Sequence, residues 1–344
     1  METKNFKISI ISEKRKEIMG VSILLIILFH SSFELSNYIL NSIFVFFKDL
    51  AQIGVDIFLF LSGLGCYYSM YKDNNTLHFY KKRLLRIFPT YIICVFVRMV
   101  IEILLFNSHF IPLVIVYSLI SFFVYNILSV WFISAIVTCY IFFPLIYSII
   151  LNKRQFFNFL LCLSLFIPLI VSIICKNFDI KVPVSNEIFF VRIPVFLFGV
   201  VCGKRINDKA IIKFQKYKVS IIFLMFMILI LINKKFNPYK TLLFTRWLFN
   251  FVVPCLIVLI GYALKWVELK CNVVVSVLGY FGEITLELYL LHEFILNIIC
   301  KFNYMPFWEG HFKIFIYNIL AIIISVIFAK IININTHKLM NLFV

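Results

Sequence analysis

Apolar runs long enough to cross a bilayer recur along nearly the whole of this 344-residue chain. They fall near 18–38, 49–70, 88–106, 131–151, 156–175, 188–203, 218–233, 247–264, 273–299 and 313–332. A span needs ~20 apolar residues to cross a hydrocarbon core of ~30 Å, so 188–203 and 218–233 are short. Composition points the same way: 63% of residues are hydrophobic and 14% charged, and the mean hydropathy is +1.01. Soluble domains run nearer 45–50% apolar and about 25% charged. A water-soluble fold is excluded. The expected fold class is all-α, a polytopic integral membrane bundle of about ten transmembrane helices, with the stretch 110–127 either spanning or re-entrant.

Charge sets the parity. With 110–127 off the count, the segments 1–17, 71–87, 152–155, 204–218, 265–271 and 333–344 share one side and hold 21 Lys and Arg. The opposite loops hold 8. The positive-inside rule then puts both termini in the cytoplasm. This gives cytoplasmic tails at 1–17 and 333–344 around a multi-pass transmembrane domain at 18–332. The net charge of +17 is therefore a topology and headgroup signal. No nucleic-acid motif accompanies it. The nine cysteines lack a Cys-x-x-Cys pair and mostly sit in apolar runs, which points to packing. Lys14, Arg15 and Lys16 before an apolar stretch resemble a signal peptide, but no small-x-small cleavage site follows. A retained first helix is expected.

Ionisable side chains inside spans are costly, so each is a functional candidate. His30 closes the run Ile23–His30, roughly 18 Å deep by helical rise. Asp56, in Gly54-Val55-Asp56-Ile57-Phe58, lies about 10 Å below the opposite surface on the next helix. Equal depth makes a carboxylate–imidazole pair, which either orients a general base or ties two helices together. Lys82, Arg83 and Arg86 form a basic fork on one helix face. Such a fork grips phosphates or anchors at headgroups. Thr285, Tyr289 and His292 recur at helical spacing. Trp131 and Ser134 open a helix, and Arg192 lies within a span, where it needs an anionic or carbonyl partner. Arg98 and Glu102 are spaced to pair. There is no Gly-rich phosphate loop, Gly-x-Ser-x-Gly elbow or metal-spaced His pair, and no metal is expected.

Taken in order, these pieces resemble the integral membrane acyltransferase family known as acyltransferase 3, whose members include O-acetyltransferases of surface glycans. The matching residues are Phe29-His30, Gly54 to Phe58 through Ser62-Gly63, Arg83-x-x-Arg86-Ile87-x-Pro89-x-Tyr91, and Trp131-Phe132 with Tyr140 and Pro144. Arg192-x-Pro194 through Phe196 and Gly199 follows, then Tyr289-Leu290-x-His292. The resemblance implies a ten-helix core, in a bacterial cytoplasmic membrane, that takes an acyl group, acetyl above all, from cytoplasmic acyl-CoA. The acceptor is a hydroxyl of a cell-surface polysaccharide or its lipid-linked precursor. It makes His30 and Asp56 the catalytic candidates, assigns Lys82, Arg83 and Arg86 to the CoA side, and leaves Trp131, Ser134, Arg192, Tyr289 and His292 for substrate. The expected partners are acyl-CoA (acetyl-CoA as donor), a glycan acceptor and membrane lipid. Two positions depart from the family's pattern: Met19 stands where a basic residue is usual, and Glu293-Phe294 follows His292 with no proline.

Two other classes compete. A transporter or flippase of a lipid-linked sugar or small anion would use inverted repeats and broken helices, neither of which the sequence displays. A catalytically dead scaffold would follow if Met19 removed an essential charge.

Overall fold

The computed structural model describes residues 5–32, 37–106, 131–177, 184–208, 213–215, 220–225, 227–228, 231, 241–301 and 311–341. The stretch 110–127 and part of 218–233 lie outside the described residues. Helices account for nearly everything else. In chain order they are α1 (Ile10–Glu13), α2 (Arg15–His30), α3 (Tyr38–Leu50), α4 (Ile53–Lys72), α5 (Thr76–Phe106) and α6 (Trp131–Asn152). Then come α7 (Arg154–Asn177), α8 (Val184–Asn207), α9 (Thr241–Lys270), α10 (Asn272–Glu283), α11 (Thr285–Lys301) and α12 (His311–Asn341). By length and composition, four described helices can cross a membrane, or five if α10 and α11 form one bent span. An all-α multi-pass membrane bundle fits these helices.

Three features differ from the hydropathy reading. The first expected span, 18–38, stops at His30. Ser31 donates its hydroxyl to the Leu28 carbonyl at 2.8 Å, the local side-chain bond by which serine competes with helix continuation. Asn37 then opens α3, accepting from the N–H groups of Ile39 (3.0 Å) and Leu40 (3.1 Å) as an N-cap. The segment 39–48, read as a loop, is therefore helical, and none of its residues is buried. The second difference is the span 273–299, which bends by 80° between α10 and α11. Window hydropathy averages over Gly282 and Glu283, where the bend falls. The Thr285 hydroxyl donates to the Gly282 carbonyl (2.7 Å), with that of Phe281 at 3.0 Å, so carbonyls freed by the bend keep a donor.

The third difference is a strand pair in a chain read as all-α. β1 (Asn5–Lys7) runs antiparallel to β2 (Lys213–Gln215), with Phe6 opposite Phe214. The two strands come from segments that the charge count assigned to one side of the membrane.

The chain divides into two compact units, each described by itself. The first comprises residues 1–18, 56–80 and 120–275, and the second 19–55, 81–119 and 276–344. In the first unit α4 and α8 pack backbone to backbone. A Cβ at Gly63 would overlap the Phe196 carbonyl oxygen, and one at Gly199 the Phe60 carbonyl oxygen. Close backbone approach through small residues is how membrane helices pack without a hydrophobic drive. Phe60, Tyr67, Phe143, Phe196 and Phe249 fill the surrounding core. Gly199→Ala is expected to cost about 1–3 kcal/mol, the range for overpacking. Thermal unfolding of the purified protein in detergent reads it, and an unchanged midpoint would rule out this contact.

In the second unit the Ser22 hydroxyl donates to the Gly54 carbonyl at 2.6 Å and fixes α2 against the start of α4. Asn318 of α12 holds the other end of α2. Its Oδ1 accepts from Ser32 N–H at 3.1 Å, and its Nδ2 donates to Ser32 Oγ at 3.1 Å.

Candidate functional site

The second unit gathers two histidines that lie 262 positions apart in the chain. α2 ends on His30, and α11 carries His292 one turn beyond Leu288. His292 Nε2 lies 3.1 Å from His30 Nδ1. His292 Nδ1 is 2.9 Å from the Leu288 carbonyl, and His30 Nδ1 is 3.0 Å from the Ile26 carbonyl. A carbonyl only accepts, so the neutral rings both carry their proton on Nδ1. His292 Nε2 is then an acceptor for His30 Nδ1–H, which is shared with Ile26. The lone pair of His30 Nε2 is left to take a proton. The tautomer is set by the hydrogen bonds of the other nitrogen, and this is the arrangement a general base requires.

Burial separates the roles. His292 is 5% exposed, whereas His30 is half-buried. Tyr289 packs its ring 6.0 Å from that of His292, centroid to centroid. Beside His292 lies a small cavity of about 20 Å³ lined by Ser31, Asn318 and Ser325 among others, large enough for one water. Thr285, on the same helix, is committed to the helix break.

The basic fork belongs to the same unit. Lys82 and Arg86 are exposed on α5, and Arg83 is half-buried. Glu287, which the sequence reading passed over, is 4% exposed in the first turn of α11, where the helix dipole favours an acid. It accepts from Asn333 Nδ2 at 3.1 Å.

The first unit holds the other charged candidates. Asp56 sits in the first turn of α4 and Arg192 in α8, 136 positions away. Arg192 Nε donates to Asp56 Oδ1 at 3.0 Å, with the two side chains 3% and 0% exposed. Of the anionic or carbonyl partners that Arg192 called for in the sequence, the structure supplies the anionic one, Asp56. Asp56 Oδ2 is buried and has no hydrogen-bond partner among the described residues. The Arg192 guanidinium also lies 5.4 Å from the Trp131 ring centroid, within range of a cation–π contact. Trp131 opens α6, and Ser134, one turn on, is buried. Arg15, one turn before Met19, donates to the Leu61 carbonyl at 3.3 Å. Arg98 and Glu102 pair as their spacing predicts, at 3.1 Å.

Among the described residues no group of three or more His, Cys, Asp or Glu is placed to hold a metal ion. The family model described as "Acyltransferase domain", that of acyltransferase 3, matches residues 20–330 of the chain. No curated protein and no solved structure matches it.

Proposed function

Because the chain belongs to the acyltransferase 3 family, we propose that it is a membrane O-acyltransferase of the glycan-modifying type. It takes an acyl group, acetyl in the first instance, from cytoplasmic acyl-CoA. It delivers that group to a hydroxyl of a cell-surface polysaccharide or its lipid-linked precursor. The membrane domain is read as about ten spans with both termini cytoplasmic, on the charge count above.

One observation carries this reading, the tautomer fixed on the His30–His292 pair. His30 Nε2 accepts the proton of the acceptor hydroxyl as its oxygen attacks the thioester carbonyl. The C–S bond then breaks, the acyl group passes to oxygen, and the proton leaves with the CoA thiolate as a thiol. While His30 is an imidazolium, His292 Nε2 accepts its Nδ1–H, so the charge is shared inside the unit without a second proton. Asp56, held by Arg192, is proposed to accept a hydrogen bond from substrate through Oδ2. Trp131, Ser134 and Tyr289 are proposed to line the acceptor's path. Lys82, Arg83 and Arg86 would hold CoA phosphates, the bidentate Arg contact being the strong one.

The fork supplies a direct check. Arg86→Gln is expected to raise the KM for acyl-CoA about tenfold, as loss of one charge-assisted hydrogen bond does, and to leave kcat within about twofold. A fall in kcat with unchanged KM would remove Arg86 from donor binding.

The bend between α10 and α11 gives a transporter reading one supporting feature, since transporters build sites at broken helices. Radiolabelled acyl-CoA supplied to proteoliposomes separates the two. Label recovered on a glycan acceptor supports the enzyme, and substrate flux without label transfer supports transport. Mass spectrometry of surface glycans with and without the gene then identifies the acceptor by its acetyl increment.

A further inference from the structure

The first unit contains a second basic site, apart from the fork on α5. A cavity of about 150 Å³ opens where α6 ends, α7 begins and α8 ends, several times the room one water needs. Ile150, Val201 and Phe157, the last 2% exposed, are its apolar lining. Arg154, Lys204 and Arg205 line it together with Asn158 and Asp208. Three cations against one carboxylate leave two excess positive charges. Lys204 Nζ is fixed on the Ile150 carbonyl at 2.7 Å, which uses one of its three donors and leaves two for a ligand. Among the described residues neither arginine is in an ion pair.

A basic loop that serves only topology needs no cavity. Here the cations share a preformed one, and their mutual repulsion is relieved by an anion with several acceptor oxygens. Its level in the membrane is set by α6, a candidate span that ends at Asn152, two residues past Ile150. Leu151, Phe156 and Phe159, flanking it, are 46%, 46% and 57% exposed. The cavity therefore lies at a span end beside apolar side chains fit to face acyl tails, which is where headgroup phosphates lie.

We propose that this cavity binds a phosphoryl group, presented by an anionic membrane lipid or by a soluble phosphate. The site is independent of the acyltransferase reading and survives its failure. It anchors the α6–α7 turn and the end of α8 through one shared anion.

The test uses the full chain in phosphatidylcholine nanodiscs with stepped fractions of phosphatidylglycerol, with bound phosphatidylglycerol counted by native mass spectrometry. Arg154→Gln/Arg205→Gln is expected to weaken retention about thirtyfold, from the per-cation contribution at a membrane surface. Lys72→Gln/Lys338→Gln removes equal charge at two exposed positions elsewhere and is expected to leave retention unchanged. Arg154→Lys/Arg205→Lys should restore most of it, which also separates lost binding from lost folding. A second arm titrates inorganic pyrophosphate into phosphatidylglycerol-free discs. Binding there, lost in the same double Gln variant, with no selective lipid retention, assigns the source as a soluble phosphate. Equal loss in both charge pairs, or no loss of either ligand in Arg154→Gln/Arg205→Gln, overturns the proposal.

Discussion

Acyl transfer is expected to fall about 10²–10⁴-fold in a His30→Ala variant, the range that a positioned general base supplies. The argument rests on what the ring does and on what its loss leaves behind. His30 Nε2 is the ring nitrogen left with a lone pair once both Nδ1 protons are committed to backbone carbonyls. No other imidazole nitrogen of the pair takes that place, because His292 Nε2 faces His30 Nδ1. The residue ends α2 and is half-buried, so its removal opens no large cavity and membrane insertion should be normal. Purified wild-type and variant protein, assayed with labelled acyl-CoA and matched for melting temperature, give the answer. His292→Phe keeps ring volume and removes the acceptor for His30 Nδ1–H. It should fall between wild type and His30→Ala, as a positioning residue would. Full activity in a folded His30→Ala protein would end the proposed mechanism.

The separate members of that pair were legible in the sequence, and their union was not. An ionisable side chain in an apolar run stands out at once, which is how His30, Asp56 and Arg192 emerged. Partnership depends on which helices pack together, and no periodicity carries that across 262 positions. Counting helical rise matched Asp56 with His30 by depth. The partner the structure gives Asp56 is Arg192, and the one it gives His30 is His292. Arg192 announced that it required an anionic or carbonyl partner, since a guanidinium in a span cannot go unpaired, but not which one.

The fold divides along the same line. Long apolar runs became helices because nothing local opposes them. Where local hydrogen bonding competes, hydropathy misled: Ser31 ends α2 eight residues early, Asn37 starts a helix in an expected loop, and α11 begins anew at Thr285. Those bonds set the ends of α2 and α11, the two helices that bring the histidines together. Glu287 was missed for a related reason. Read as one span it was an acid among apolar neighbours, and only the break turns it into a first-turn residue paired with Asn333.

The Asp56–Arg192 pair gives the second large effect, and it also separates structure from function. Both side chains are almost fully buried and joined at 3.0 Å. Removing one partner of such a pair strands a charge and costs about 3–5 kcal/mol. Arg192→Met should therefore lower stability by that amount, with Asp56→Asn costing less because the amide still accepts from the guanidinium. A double change to apolar residues, Asp56→Leu with Arg192→Met, strands nothing and should recover most of the loss, since buried pairs are often replaceable without net cost. Unfolding in detergent measures all three. Activity then decides what the pair is for. If Asp56 Oδ2, which has no partner among the described residues, accepts from substrate, the double variant is stable and still transfers acyl groups at least tenfold more slowly. If the pair only ties α4 to α8, activity returns along with stability. The first outcome is expected, because an apolar contact next to the close Gly63–Gly199 packing would serve adhesion without the desolvation that two buried charges incur.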